Sequence, residues 1–138
     1  MSRPMPLARQ SGYPRRSVWK WRPLLALALA LSGSPASAEV EHVVLCWLNE
    51  PGNAEAAGRV IRASGELREI PGVRNLVAGP PLASERPIVD DSFDVGVVMR
   101  FADAAALETY LNHPEHVRRV NETLRPLCGR IQIYDIRH

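Results

Sequence analysis

The stretch Glu41-His-Val-Val-Leu-Cys-Trp-Leu48 decides the fold. From Val43 to Leu48 it is unbroken apolar sequence, which predicts a strand buried on both faces. A second strand, Phe93-Asp-Val-Gly-Val-Val-Met-Arg-Phe101, alternates instead. Phe93, Val95, Val97, Met99 and Phe101 fall on one face, with Asp94, Gly96, Val98 and Arg100 on the other. Even the second face carries Val98, so a sheet built on these two strands is apolar on both sides.

The intervening segments supply the cover for one side. Asn49-Glu-Pro-Gly-Asn53 is a loop whose last residue suits a helix N-cap. Ala54–Glu69 then places Ala57, Val60, Ile61, Ser64 and Leu67 on one stripe of period 3.6, an amphipathic helix. Gly58 and Gly65 weaken it by about 1 kcal/mol each relative to alanine, and close packing against a sheet would account for them. Pro71-Gly72 ends the helix, Val73–Ala78 reads as a short strand, and the proline-rich Gly79–Asp91 as a surface loop. Asp103 caps a second helix that runs through Leu111 and continues past a break, with Val117, Val120, Leu124 and Leu127 at helical spacing. Ile131–Ile136 is the last strand.

The order β-α-β-β-α-β predicts an α+β, ferredoxin-like domain with a four-stranded antiparallel sheet. Its helices cover one sheet face. The other face is too apolar for water, and a twofold homodimer packed through the open sheet faces resolves that.

Residues 1–38 stand apart from this pattern. Arg3, Arg9, Arg15, Arg16, Lys20 and Arg22 precede the apolar run Leu24–Leu31 and an Ala36-x-Ala38 cleavage signal, which reads as a cleavable bacterial export peptide. Arg15-Arg-Ser-Val-Trp-Lys20 resembles a twin-arginine signal, so both the general secretory and the twin-arginine routes stay open. The expected mature chain, residues 39–138, is one domain, periplasmic or secreted, with no membrane attachment after processing. Seventeen basic residues less the six of the leader leave eleven against fifteen acids, a net charge of −4. Such a chain has no basic footprint for nucleic acid.

Chemistry gathers at Tyr110-Leu-Asn-His-Pro-Glu-His116. On an unbroken helix Tyr110 and His116 would stand about 120° apart around the axis, but the Asn112-His-Pro114 break can bring them together. A histidine there can take a proton from carbon beside a carbonyl, and a tyrosine hydroxyl can hold the developing enolate. The bland alternative is a core tyrosine and a histidine bonded to a backbone carbonyl. His113 reads as part of a helix start, with Asn112 and Glu115 at capping-box spacing. His42 shares a strand face with Val44, Cys46 and Leu48, either as a satisfied buried histidine or as a wall of a pocket. His113 and His116 lack a third ligand for a metal, and no cofactor is expected. The first and last strands are antiparallel neighbours in this topology, so Cys46 and Cys128 approach one another and a disulfide is predicted, two buried thiols being the alternative.

Several of these pieces resemble the stress-responsive dimeric α/β barrel (Dabb) family: Glu41-His-Val-Val-Leu45, Ile70-Pro-Gly-Val-Arg74, Phe93-Asp94, Arg100-Phe101, Tyr110-Leu-Asn-His-Pro-Glu-His-Val117 and Ile133-Tyr-Asp135. The resemblance covers Glu41–Asp135 and implies a homodimer whose sheets pair into a barrel. One member of that family, olivetolic acid cyclase, closes a polyketide between sheet and helices. Similarity to it implies catalytic roles for Tyr110 and His116 and a pocket role for His42, while Val95 stands where that enzyme has a further pocket histidine.

Two functions follow as expectations. One is a binder of a small apolar or aromatic molecule between the second helix and the sheet. The other is a cofactor-free enzyme, cyclase-like or isomerase-like, with His116 as base and Tyr110 as hydrogen-bond donor. The sequence has no glycine-rich phosphate loop, Cys-x-x-Cys, His-Glu-x-x-His or Gly-x-Ser-x-Gly, so nucleotide, zinc-hydrolase and serine-hydrolase chemistry find no support in it.

Overall fold

The computed structural model of the chain describes residues 38–138. Residues 1–37, on which the expected export signal falls but for its last residue, lie outside the described residues.

Strand β1, Val40–Leu48, alternates strictly: Val40, His42, Val44, Cys46 and Leu48 are buried, and the residues between them are only partly so. Two neighbours account for this. β1 pairs antiparallel with β3, Val95–Phe101, on one side and with β4, Cys128–Arg137, on the other. β2, Asn75–Gly79, adds to the far side of β3, giving the order β2-β3-β1-β4 expected of the β-α-β-β-α-β sequence.

Helix α1, Ala54–Glu66, starts where Asn53 Oδ1 accepts the Ala56 N–H at 3.0 Å, and it tightens into a 3₁₀ turn at Leu67–Glu69. It lays Val60, Ala63, Ser64 and Leu67 on the sheet. Its glycines do not touch the sheet, contrary to expectation: an added Cβ at Gly58 or Gly65 would meet only an arginine side chain, at 3.2 and 4.0 Å. The Pro71-Gly72 turn does need its glycine, because Gly72 sits at φ +97°. Asp94 fixes the loop after β1 by accepting from the Leu48 and Gly52 N–H groups at 2.8 and 2.9 Å.

The second helical region is segmented. α2, Ala104–Leu111, begins at Asp103, whose carboxylate accepts from the Ala106 N–H at 2.8 Å. α3, Pro114–Arg119, follows the break, widens into a π-helical turn at Val120–Leu124 and ends in one turn, α4, Arg125–Leu127. The extra residue in that turn shifts the phase of the apolar stripe. Leu124 is buried as expected, but Val117 faces out and is 44% exposed.

Cys46 and Cys128 are bonded, with Cα atoms 5.6 Å apart. The bridge joins the two strands across 82 positions of sequence, worth about 4.5 kcal/mol on the chain-entropy account.

The sheet face away from the helices is open. Val77, Val98, Val43 and Tyr134 form one in-register row across all four strands. Val77 is 61% exposed and Tyr134 52%. Phe93 belongs to this side and not to the core face: it lies ahead of β3, its ring covers Gly96, and it meets Trp47 edge-on with ring centroids 6.3 Å apart.

Candidate functional site

The break between α2 and α3 is built by local rules. Asn112 closes α2, and its side-chain amide donates to the Glu108 carbonyl at 2.9 Å. His113, rather than Asn112, caps α3: its Nδ1 accepts the Glu115 N–H at 3.2 Å, with Pro114 in the first helical turn. His113 is thus structural.

The same break turns His116 back onto Tyr110, with ring centroids 4.5 Å apart. Tyr110 is fully buried and also packs against Phe101 at 5.0 Å and His42 at 6.2 Å. The three site residues expected from sequence, His42, Tyr110 and His116, line one cavity of about 130 Å³. Its remaining walls are aliphatic, among them Val97, Met99, Leu124 and Ile131. Val95 is buried in the core and is not among the lining residues. Larger hollows of about 340 and 270 Å³ lie on the surface among charged residues such as Glu115 and Arg119, or Glu50 and Arg59. The smaller, apolar cavity is where His42, His116 and the Tyr110 phenol come together, while His113 lines the largest of the surface hollows named above.

Each polar group there has a distinct state. The Tyr110 hydroxyl is buried without a hydrogen-bond partner, and burial pushes its pKa well above the ordinary 10.0, so it stays protonated. His116 Nδ1 lies 2.9 Å from the Leu111 carbonyl, an acceptor only, so that nitrogen carries the proton and Nε2 is left as an acceptor. Burial lowers the His116 pKa below 6.5; the Leu111 carbonyl opposes this, and His42 and His113 add to it. His42 is 3% exposed, and its Nδ1 lies 2.6 Å from Asp135 Oδ1.

Asp135, in contact with His42, is the residue at this site that sequence reasoning did not bring forward. The signal was present in the strand register. β1 and β4 run antiparallel, and with the register shift between Trp47 and Leu48 His42 comes directly opposite Asp135. No group of three or more His, Cys, Asp or Glu side chains suited to a metal ion occurs among the described residues.

Fold and site together define a class: an α+β ferredoxin-like domain with a small apolar cavity between a broken second helix and its sheet. Within that class, the chain belongs to the Dabb family, the stress responsive A/B barrel domain, whose profile matches residues 40–138. Among solved structures it is similar to a Dabb family protein with a ferredoxin-like fold from Mesorhizobium loti, at 27% identity and a TM-score of 0.60, over 72% of this chain and 96% of that one. A dimeric ferredoxin-like protein of unknown function from Thermobifida fusca matches at 19% identity and a TM-score of 0.61, over 74% and 92% of the two chains. A hydroxynitrile lyase from Passiflora edulis matches at 18% identity and a TM-score of 0.64, over 75% and 95%. The last two likenesses are of fold alone. None of the curated proteins matches the chain in sequence.

Proposed function

We propose that this protein is an exported, homodimeric stress-response barrel protein that binds a small apolar or aromatic molecule in the cavity between α2–α3 and the sheet. The observation that carries this reading is the Tyr110 hydroxyl, a buried donor with no partner, at an otherwise greasy cavity. An unpaired buried hydroxyl costs about 1–3 kcal/mol, and a ligand with one acceptor atom removes that cost. At about 130 Å³ the cavity is close in size to engineered cavities of about 150 Å³ that hold benzene. It suits one ring and is too small for an extended polyketide.

Dimerisation through the open sheet face rests on the exposed apolar row and on relatives described as dimeric. Export rests on the leader sequence and on the disulfide, which fits a periplasmic or secreted protein. Among the described residues no helix is long and apolar enough to cross a membrane.

Calorimetry with benzaldehyde and benzene tests the binding reading. Both fit by size, and only benzaldehyde offers an acceptor. Tyr110→Phe should weaken benzaldehyde about 5- to 10-fold, the worth of one neutral hydrogen bond, and leave benzene unchanged. Equal loss of both, or no binding of either, would refute it.

The second reading, cofactor-free catalysis, is favoured by the convergence of Tyr110 and His116 on the cavity. In it Tyr110 donates to a carbonyl oxygen while an imidazole takes a proton. The hydroxynitrile lyase likeness does not bring that reaction here.

A further inference from the structure

We infer that His42, held by Asp135, is the proton acceptor of this cavity, and that the site removes a proton from the carbon beside the carbonyl of a neutral, single-ring ketone. The inference rests on the ligand reading above and deepens its catalytic form, with the base moved from His116 to His42.

The assignment comes from what stands behind each imidazole. A base must carry positive charge after it takes the proton, and its surroundings decide whether that charge is tolerated. Behind His42 lies a carboxylate, Asp135 Oδ1, 2.6 Å from Nδ1. A carboxylate is an acceptor, so Nδ1 keeps its hydrogen and Nε2 presents its lone pair. Behind His116 lies only the neutral Leu111 carbonyl at 2.9 Å. Burial and the nearby His42 both oppose charge on His116. Of the two imidazoles on this cavity, His42 is the one with an anion at its back.

The titratable groups facing His42 are Asp135 from β4, Tyr110 from α2 and His116 from α3. β3 contributes only Val97 and Met99 to the cavity, and α1 and its 3₁₀ turn only Leu67. No carboxylate is among the residues that line it; Asp135 stands behind His42.

In the step itself, the C–H bond next to the carbonyl breaks and its proton goes to His42 Nε2. The electron pair forms the carbon–carbon double bond of the enolate, and the Tyr110 O–H donates to the enolate oxygen. His42 then returns a proton to carbon. In D₂O the imidazolium exchanges with solvent first, so the carbon receives a deuteron. No oxidant, reductant or second substrate is needed. The half-exposed Ile133 and partly buried His116 line the cavity on the solvent side and give water access.

Cyclohexanone in D₂O is the probe, with the full-length protein and NMR as the readout of deuterium entering the ring carbons. The expected result is that the protein binds cyclohexanone and accelerates this exchange. His42→Gln should lower the rate by about 100-fold or more, the range for loss of a general base, and His116→Gln by less than about tenfold. Asp135→Asn, which leaves the strand pair intact, should lower the turnover rate by about 10- to 100-fold with little change in half-saturation. It should also shift the ¹⁵N signals of the His42 ring away from the Nδ1–H tautomer, a change that loss of structure alone does not produce. A larger loss in His116→Gln than in His42→Gln, or an unchanged tautomer and rate in Asp135→Asn, overturns the assignment. Binding of cyclohexanone with no exchange in the unaltered protein overturns the chemistry and leaves the ligand reading standing. Failure to bind it at all sinks both.

Discussion

At the scale of single residues, the cavity holds polar groups in states that water would not favour, and stability should register this. Tyr110 buries a hydroxyl with no partner. In the ligand-free protein, Tyr110→Phe should therefore raise stability by about 1 kcal/mol while removing the ligand's donor, a gain bought at the expense of function. The pH dependence follows from the same burial. The His116 pKa lies below 6.5 in the folded state, mainly through burial, so under acid the unfolded chain takes up that proton first. Stability should fall as pH drops below 6.5 and level off beneath the folded value. Tyr110 acts at the other end: its pKa is raised above 10.0, the unfolded chain ionises first, and stability should fall as pH climbs past 10.0. Thermal melts across pH should show the acid slope reduced in His116→Gln and the alkaline slope reduced in Tyr110→Phe. A wild-type profile retained in both variants would show that neither group is held as described.

At the scale of elements, what could be read in the sequence was what local rules determine. The Asn53 and Asp103 caps and the core face of β3 from Val95 onward follow from spacing and turn chemistry, and all are present. So is the meeting of Tyr110 and His116, because proline dictates the break. β1, expected from its apolar run to be buried on both faces, is fully buried on one and partly on the other in a single chain. The features that escaped depend on partners far along the chain or on phase. Asp135 matters only because register sets it opposite His42. Val117 faces out because a π-helical turn follows it, and no residue type announces such a turn. Phe93 crosses to the open face because strand pairing starts only at Val95. The glycines of α1 give a direct test. An added Cβ at Gly65 meets nothing closer than the flexible Arg68 side chain at 4.0 Å, so Gly65→Ala should stabilise the fold by up to about 1 kcal/mol. A destabilised variant in urea unfolding would mean that the glycine has a partner this domain alone does not supply.

At the scale of the whole molecule, the open sheet face is the feature that one chain cannot satisfy. Its row of Val77, Val98, Val43 and Tyr134 is apolar, in register and at least partly exposed on all four strands. Ile136 extends it at 53% exposure, while the Arg100–Glu41 ion pair, 2.6 Å between Nη2 and Oε1, bounds it on one side. An apolar centre with a charged margin is the arrangement of a surface that meets another protein. A second copy is the economical partner, since a twofold axis lets the same row cover itself. Val98 is the residue to change. It lies inside that row and is 40% exposed in a single chain, so lysine there costs an isolated domain little. In a dimer the same change places two ammonium groups in a desolvated seam, where unpaired charge is expensive. Sedimentation equilibrium should therefore find the wild-type protein at twice the mass of its chain. Val98→Lys should sediment at the single-chain mass and melt at a lower temperature, because it loses the cover that the twin sheet provides. A wild-type protein that stays single at micromolar concentration, or a Val98→Lys variant that still pairs, would leave the open face needing another occupant.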